Sequence, residues 1–280
     1  MSDHKKTGTA RDSHYARLRR AHRDIKGAVP RKRAPLEGKP PPEGLVRLYG
    51  LHTVRAALDN PKRVIHDMLV TRNAAQRLGI EDVTALPFPA KLVEPKEIET
   101  LTGSEAVHQG VVIEAKPLKA NPLDKLQHAS LVLVLDQVTD PHNVGAIMRS
   151  AVAFGADALM TTARHSPAET GVLAKSASGA LEHVNHIEVR NLAAAIEDLH
   201  KAGFHTVGLD SEGPQELEES LVGSRIALVL GAEGKGLRQK TRETVNALAR
   251  LDLPGEIRSL NVSNATAVAL YIARRYLSAR

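Results

Sequence analysis

Leu253-Pro254-Gly255-Glu256-Ile257-Arg258-Ser259-Leu260-Asn261-Val262-Ser263-Asn264 runs without a break into an apolar, helix-like segment from Ala265 to Tyr276. A Ser-x-Asn-x-Ser-Asn cluster at a loop-to-helix junction gathers hydroxyls, amides and free backbone N–H groups at one point, where a polar ligand can be held. Two other segments share this plan. Leu131 to Leu135 is a continuous apolar run that reads as a buried strand. It empties into Asp136-Gln137-Val138-Thr139-Asp140-Pro141-His142-Asn143-Val144-Gly145, ahead of an apolar-periodic stretch, Ala146 to Phe154, that contains Arg149. Ile226 to Leu230 ends likewise in Gly231-Ala232-Glu233-Gly234-Lys235-Gly236-Leu237-Arg238. Three strand ends therefore offer Asn143, Arg149, Glu233, Ser259, Asn261 and Asn264. Ligands of open parallel sheets bind at the carboxyl ends of strands, so this convergence is the candidate active site.

Outward from these loops, strands alternate with helices. Leu131–Leu135 is followed by a helix through Phe154, Ala158–Thr161 by a helix over about Gly171–Leu181, and His186–Val189 by a helix over Leu192–Ala202. His205–Leu209, Ile226–Leu230 and the final helix complete the series. Such alternation predicts an α/β unit at 130–280 built on a parallel sheet covered on both faces. A smaller α/β unit is expected at 46–116: a helical spacing over Leu48–Leu58 stopped by Asn60-Pro61, a strand over Val64–Val70, a helix over Ala74–Leu78 and a strand over Gly110–Ala115. Between the two, residues 117–129 read as a linker, since Pro117 and Pro122 interrupt regular structure.

Charge is distributed unevenly. Residues 1–47 hold 13 Lys or Arg against 5 Asp or Glu, while the whole chain is only +6, so the remainder is slightly acidic. With Pro30, Pro35, Pro40, Pro41 and Pro42 and few apolar residues, the tail over 1–45 cannot offset its ordering entropy and is expected to be disordered. Its Arg17, Arg19, Arg20, Arg23, Arg31, Lys32 and Arg33 form an electrostatic footprint suited to nucleic-acid phosphates. The chain has no cysteine, which suits a reducing, cytoplasmic setting and excludes disulfides and thiolate metal sites. No apolar run reaches the roughly 18 residues of a membrane span, and a signal-peptide core is missing from the amino terminus. Aromatics make up 2% of the chain, so its core must be aliphatic.

Several reaction classes lack their signatures. The glycines at 231, 234 and 236 run G-x-x-G-x-G, the wrong order for a dinucleotide fingerprint, and the phosphate-loop pattern is missing. There is neither a G-x-S-x-G elbow nor an H-E-x-x-H pair, so serine-hydrolase and zinc-protease chemistry have no support.

The three strand ends resemble the motifs of the SpoU branch of the SPOUT superfamily, S-adenosylmethionine-dependent RNA ribose 2′-O-methyltransferases. The stretches that carry the likeness are Asp140 to Ala151, Leu228 to Gly236, and Leu251-Asp252-Leu253-Pro254 through Ser259 to Asn264. The small unit, with Tyr49-Gly50-Leu51-His52 at its start and Val107-His108-Gln109-Gly110-Val111 at its end, resembles the family's L30e-like RNA-binding module. The two-part architecture is most similar to bacterial enzymes acting on guanosine in 23S ribosomal RNA; relatives that modify transfer-RNA guanosine or ribosomal-RNA adenosine, and a non-catalytic ribosome-assembly factor, are the alternatives. The resemblance implies a carboxyl-terminal trefoil knot and a homodimer. It also implies that Gly231, Leu251, Leu253 and Leu260 cradle the adenine and ribose of the cofactor, largely through backbone groups. The long basic tail departs from the pattern.

Ribose methylation needs a methyl donor in line with the oxygen and a means of stabilising the developing alkoxide, and it requires no metal. Family accounts make Arg149 the base, yet a guanidinium stays protonated in almost any protein setting. Arg149 is better read as a clamp on the adjacent phosphate and the oxyanion, reaching into the partner subunit's site. Glu233 either accepts the proton or fixes Arg149, while Asn143 and Asn261 hold these groups or the ribose in place. Ser259 and Asn264 contact cofactor or cap the final helix. Intact Asn143, Arg149, Glu233, Ser259 and Asn261 favour an enzyme over a retired binding factor.

Overall fold

The computed structural model describes residues 37–257 and 259–280. The basic cluster from Arg17 to Arg33 and the motif residue Arg258 lie outside the described residues. Of the tail expected to lack order, residues 37–45 are described and are held in place. The Lys39 N–H donates to the Thr100 carbonyl at 3.4 Å, and the Arg47 guanidinium donates to the Lys39 carbonyl.

The first part of the chain contains β1 (Val46–Tyr49), α1 (Leu51–Asp59), β2 (Ile65–Val70), α2 (Arg72–Arg77), β3 (Ala90–Leu92), α3 (Pro95–Thr102) and β4 (Val111–Ala115). These strands form a mixed sheet in the order β1-β4-β2-β3, with β2 and β3 parallel and the other pairs antiparallel. The α1 helix stops at Asn60, ahead of Pro61. Pro95 opens α3, where the Glu94 and Glu97 side chains cap each other's backbone N–H groups.

The second part contains β5 (Leu131–Asp136), α4 (Pro141–Ala153), β6 (Ala158–Thr162), α5 (Gly171–Ala177), β7 (His186–Val189), α6 (Leu192–Lys201) and β8 (His205–Leu209). It continues with β9 (Gln215–Glu216), α7 (Leu217–Ser220), β10 (Ile226–Gly231), α8 (Gln239–Thr244), β11 (Ala247–Arg250) and α9 (Val262–Ser278). Every pairing in its sheet is parallel, and the order is β7-β6-β5-β10-β8-β11-β9. The chain moves outward from β5 through β6 to β7. It then crosses to β8 and returns β10 between β5 and β8. That reversal of direction places a crevice at the carboxyl ends of the central strands.

The sheet's two faces explain the sequence pattern. Leu131, Leu133 and Leu135 of β5 and Ile226, Leu228 and Leu230 of β10 enter one core, while Val132, Val134, Ala227 and Val229 enter another on the opposite face. Successive side chains of a strand point to opposite faces, so a continuous apolar run is what a strand covered on both sides requires. The first core extends into the small sheet through Leu48, Met68 and Ile113, and into α1 through Val54. It also receives Val262, Ala269, Leu270 and Ala273 of α9, spaced as one face of a helix.

The parts are also joined by charge. The side chain of Arg63, in the turn after α1, is fully buried and pairs with Glu182 at 2.5 Å and Glu169 at 2.6 Å. Asn60 donates to Glu182 at 2.7 Å, and the Leu118 N–H donates to Glu169 at 2.9 Å. Residues 117–129 run along the large sheet's edge, where Asn121 bridges to Ile187 of β7 and its backbone N–H donates to the His186 carbonyl at 2.7 Å.

Two local expectations change. The helix expected over about Gly171–Leu181 ends at Ala177, because Ser178 and Gly179 both take left-handed backbone angles before a short 3₁₀ turn at Ala180–Glu182. A strand, β11, also precedes the third motif, where Ala-Leu-Ala-Arg carries no β-branched residue to announce it.

Candidate active site

The loop after β5 turns sharply. Gln137 adopts a left-handed φ of 61°, and the Asp140 side chain accepts the His142 N–H as the amino-terminal cap of α4, with Pro141 in the first turn. This brings Asn143 inward, where it is 9% exposed. Its amide nitrogen donates to Glu233 Oε2 at 3.3 Å, and its Oδ1 accepts from Asn261 Nδ2 at 3.0 Å. The Oδ1 of Asn261 accepts from the backbone N–H of Ser263 at 2.8 Å and its hydroxyl at 2.6 Å, which makes Asn261 the cap of α9. One hydrogen-bonded relay thus ties together the loops after β5, β10 and β11, the three that the sequence singles out.

Glycines permit two close approaches here. A Cβ on Gly145 would lie 2.6 Å from both the Leu173 carbonyl oxygen and the Ser176 Cβ, so this motif residue allows α4 and α5 to pack. A Cβ on Gly231 would lie 2.1 Å from the Gly236 carbonyl carbon, because the loop doubles back in an Ala232–Gly236 bridge. Only glycine fits that fold-back. At the loop's far end, Arg238 donates from Nε and from its backbone N–H to the buried carboxylate of Asp136, at 2.6 and 3.0 Å.

A cavity of about 540 Å³ opens beside the relay, a size that suits a small organic ligand. Gly231, Leu251, Leu253, Ser259 and Leu260 line it, with Glu233 and Asn261 on its polar side. Asn264 does not line it; that side chain is exposed on the first turn of α9. Neither Ser259 nor Asn264 caps the helix, since Asn261 does. Sequence reasoning missed a fourth contribution, Leu209, Asp210 and Ser211 at the end of β8. An Asp-Ser pair directly after an apolar strand was the available signal. The Asp210 carboxylate is engaged by Arg242.

Arg149 is not brought to this cavity. It follows Asn143 by six residues, about 120° away around a helix of 3.6 residues per turn. Its side chain is exposed and makes no hydrogen bond or ion pair with the described residues. It borders a separate hollow with His52, Arg55 and His183.

Near the small sheet, Gln109 Oε1 accepts from the Leu51 N–H at 3.1 Å and from Lys175 Nζ of α5 at 2.7 Å. The motifs at the start and end of that unit therefore meet one another and the large sheet's helical layer. Burial pushes the Lys175 ammonium below the usual lysine range, and burial likewise lowers the His108 imidazole, whose Nδ1 accepts the Gly110 N–H at 3.1 Å.

Comparison with known proteins assigns both parts of the chain. The model of the SpoU rRNA Methylase family matches residues 130–271, and one for RNA 2′-O ribose methyltransferase substrate binding matches residues 47–120. The 23S rRNA (guanosine-2′-O-)-methyltransferase RlmB of Pseudomonas putida is 38% identical over 243 residues, covering 82% of this chain and 96% of its own length. Its counterpart from Pseudomonas syringae pv. tomato is 39% identical over 245 residues, covering 84% and 98%. The crystal structure of the SpoU methyltransferase AviRb from Streptomyces viridochromogenes, in complex with AdoMet, has a TM-score of 0.70 at 22% identity, covering 83% of this chain and 90% of its own; that likeness concerns the fold.

Proposed function

The chain belongs to the SpoU rRNA methylase family, and on that premise we propose that it methylates a ribose 2′-hydroxyl of RNA, with S-adenosylmethionine as donor and a guanosine of 23S ribosomal RNA as target. The observation that carries this reading is the relay from Glu233 through Asn143 to Asn261 beside the cavity. The cavity suits the cofactor. Leu251, Leu253 and Leu260 offer an apolar wall for a purine, and the backbone from Gly231 to Gly236 and Ser259 offer polar groups for a ribose and an amino acid.

Bound S-adenosylmethionine supplies an electrophilic methyl group on a sulfonium. The protein's part is positioning, worth of order 7 to 11 kcal/mol for oriented reactants, and disposal of the hydroxyl proton. Glu233 is oriented by Asn143 and exposed to solvent, so it is the group placed to take that proton. Arg149, with its planar guanidinium, clamps the neighbouring phosphate and the developing oxyanion. Its position outside its own chain's cavity is what supports a homodimer in which it serves the partner's site. The exposed Val268 and Tyr271 on α9, with Tyr271 set edge-on to Phe154, give that face apolar area for a second copy.

The interleaved return of β10 and β11 is compatible with a trefoil knot formed by the carboxyl-terminal segment. The small sheet fits an L30e-like module that grips RNA. Among the described residues no helix is long and apolar enough to cross a membrane, and the proposed setting is the cytoplasm. Titration calorimetry with S-adenosylmethionine, together with 2′-O-methyl mapping of total RNA from a strain lacking this protein, tests the whole reading. Cofactor binding and loss of one guanosine mark in 23S rRNA are expected. Absence of cofactor binding would leave a non-catalytic RNA-binding factor.

A further inference from the structure

Two strands from the proposed cofactor cavity, on the same edge of the large sheet, lies a second hollow of about 360 Å³. Arg164, Arg190, Arg238 and Lys240 surround it, supplied by the loops after β6, β7 and β10 and by the start of α8, and no acidic side chain among the described residues lines it. Outside its tail this chain is slightly acidic, so four cations around one hollow are a local concentration. The side chains of Arg164, Arg190 and Lys240 make no hydrogen bond or ion pair with the described residues, whereas Arg238 is anchored by Asp136.

Two further features point to an anion. Thr162, 5% exposed at the end of β6, borders the hollow, and its Oγ1, itself shielded from solvent, has no hydrogen-bond partner among the described residues. Leu192 and Ala193 also line it, and they open α6, a helix of 10 residues; its cap Asn191 takes the Ala194 N–H and leaves those of Leu192 and Ala193 without a partner among the described residues, where the helix dipole is positive. Cations, an unpaired hydroxyl and a helix start together make the donor set of a phosphate site.

We propose that this hollow binds a backbone phosphate of the RNA substrate, further along the strand from the nucleotide whose ribose is methylated. The proposal rests on the methyltransferase reading above. The loop carrying Glu233 toward the cavity carries Arg238 toward the hollow, and adjacent strands lie roughly 4.8 Å apart, so the two sites are separated by about 10 to 15 Å. One RNA strand can span both. The hollow would then set where along the strand the reactive ribose stops, a task for phosphate contacts in general.

The test compares the full chain with its Arg164→Gln/Arg190→Gln form on a 23S rRNA fragment. Cofactor binding and methyl transfer by the unaltered chain test the underlying reading; the variant tests the hollow alone. Expected results are RNA affinity lower by roughly tenfold at low salt, and a plot of log affinity against log salt flatter by about 0.7 for each phosphate no longer neutralised. KM for RNA should rise while cofactor affinity and the melting midpoint stay put, since both side chains are exposed. Should the double variant fold poorly, Lys240→Gln carries the same expectation with a smaller change. Thr162→Val should weaken RNA binding without lowering the melting midpoint, because its hydroxyl has no partner to lose. Unchanged salt slope and KM in a folded, cofactor-binding variant would overturn the proposal. So would loss of inorganic phosphate binding with RNA affinity intact, which would make the hollow a small-anion site.

Discussion

Two polar clusters join distant parts of this chain, and they are built in opposite ways. Around Arg63, a fully buried guanidinium meets two carboxylates at 2.5 and 2.6 Å, the Lys116 carbonyl at 2.8 Å, and little else is left unpaired. Around Asn143, the hydrogen bonds are longer, at 3.0 and 3.3 Å, and the cluster ends in an exposed Glu233 with one amide neighbour. The first cluster satisfies nearly all of its donors and acceptors inside the protein and holds the small sheet against the large one. The second keeps capacity in reserve at a cavity mouth. A polar network that is saturated fixes structure; one that is open at an end can receive a substrate.

Removing Arg63 should do the most damage to the fold. Arg63→Ala leaves two carboxylates with no counter-charge in a buried setting and is expected to cost about 3–5 kcal/mol of stability by denaturant titration. A loss below about 1 kcal/mol would mean that the clasp is not what joins the two parts. The open cluster, and the Arg149 proposed to serve it from a partner copy, are expected to respond in activity instead. Arg149→Ala should lower methyl transfer by about 10²–10³-fold, the range for losing a group that stabilises developing charge. Its melting midpoint should not move, because the side chain is exposed and has no partner among the described residues. Arg149→Lys separates charge from shape: if it retains most activity, planar two-point contact is unnecessary. Near wild-type transfer by a dimeric Arg149→Ala protein would remove the clamp altogether. Asn143→Ala should fall between these cases, with roughly 1 kcal/mol of stability lost together with the orientation of both Glu233 and Asn261, read as a lower kcat at unchanged RNA affinity.

Much of this arrangement was legible in the sequence, for reasons that differ by region. The runs Leu131–Leu135 and Ile226–Leu230 announced central strands because burial on both faces demands unbroken apolar residues. Their polar exits marked the candidate site, where Asn143 and Glu233 are bonded to one another and Asn143 to Asn261 at the start of α9. The strands β1, β3, β9 and β11 were not legible: β3 and β9 are two or three residues long, too short for a period to show, β1 runs into a stretch spaced like a helix, and β11 carries no β-branched residue. Arg63 escaped notice because a single arginine beside Asn60-Pro61 looks like any surface turn, and its carboxylate partners lie more than a hundred positions away. Asn264 misled because every polar residue of a helix-opening cluster looks equally available, whereas helical geometry turns only some of them toward the cavity.

The smallest expected effect concerns protons on the closed cluster. Burial holds the Glu169 carboxyl above the ordinary glutamate value, against the opposing pull of Arg63 and the Leu118 N–H. The folded protein therefore binds this proton more readily than the unfolded chain. Stability contributed through Glu169 must then fall as pH rises from the ordinary glutamate value through the raised folded one, and must recover on acidification. This is opposite in sign to Asp82, whose carboxyl is held low by the Thr84 hydroxyl and N–H and so favours folding only while ionised. Glu169→Gln removes the titration but leaves an oxygen to accept the Leu118 N–H. Its melting midpoint, measured against the unaltered protein between about pH 4 and 7, should improve relative to wild type as pH increases. A difference that is flat, or that runs the other way, would mean that Arg63 fully compensates the buried charge; the closed cluster would then be a source of net stability rather than a means of fixing one part of the molecule against the other.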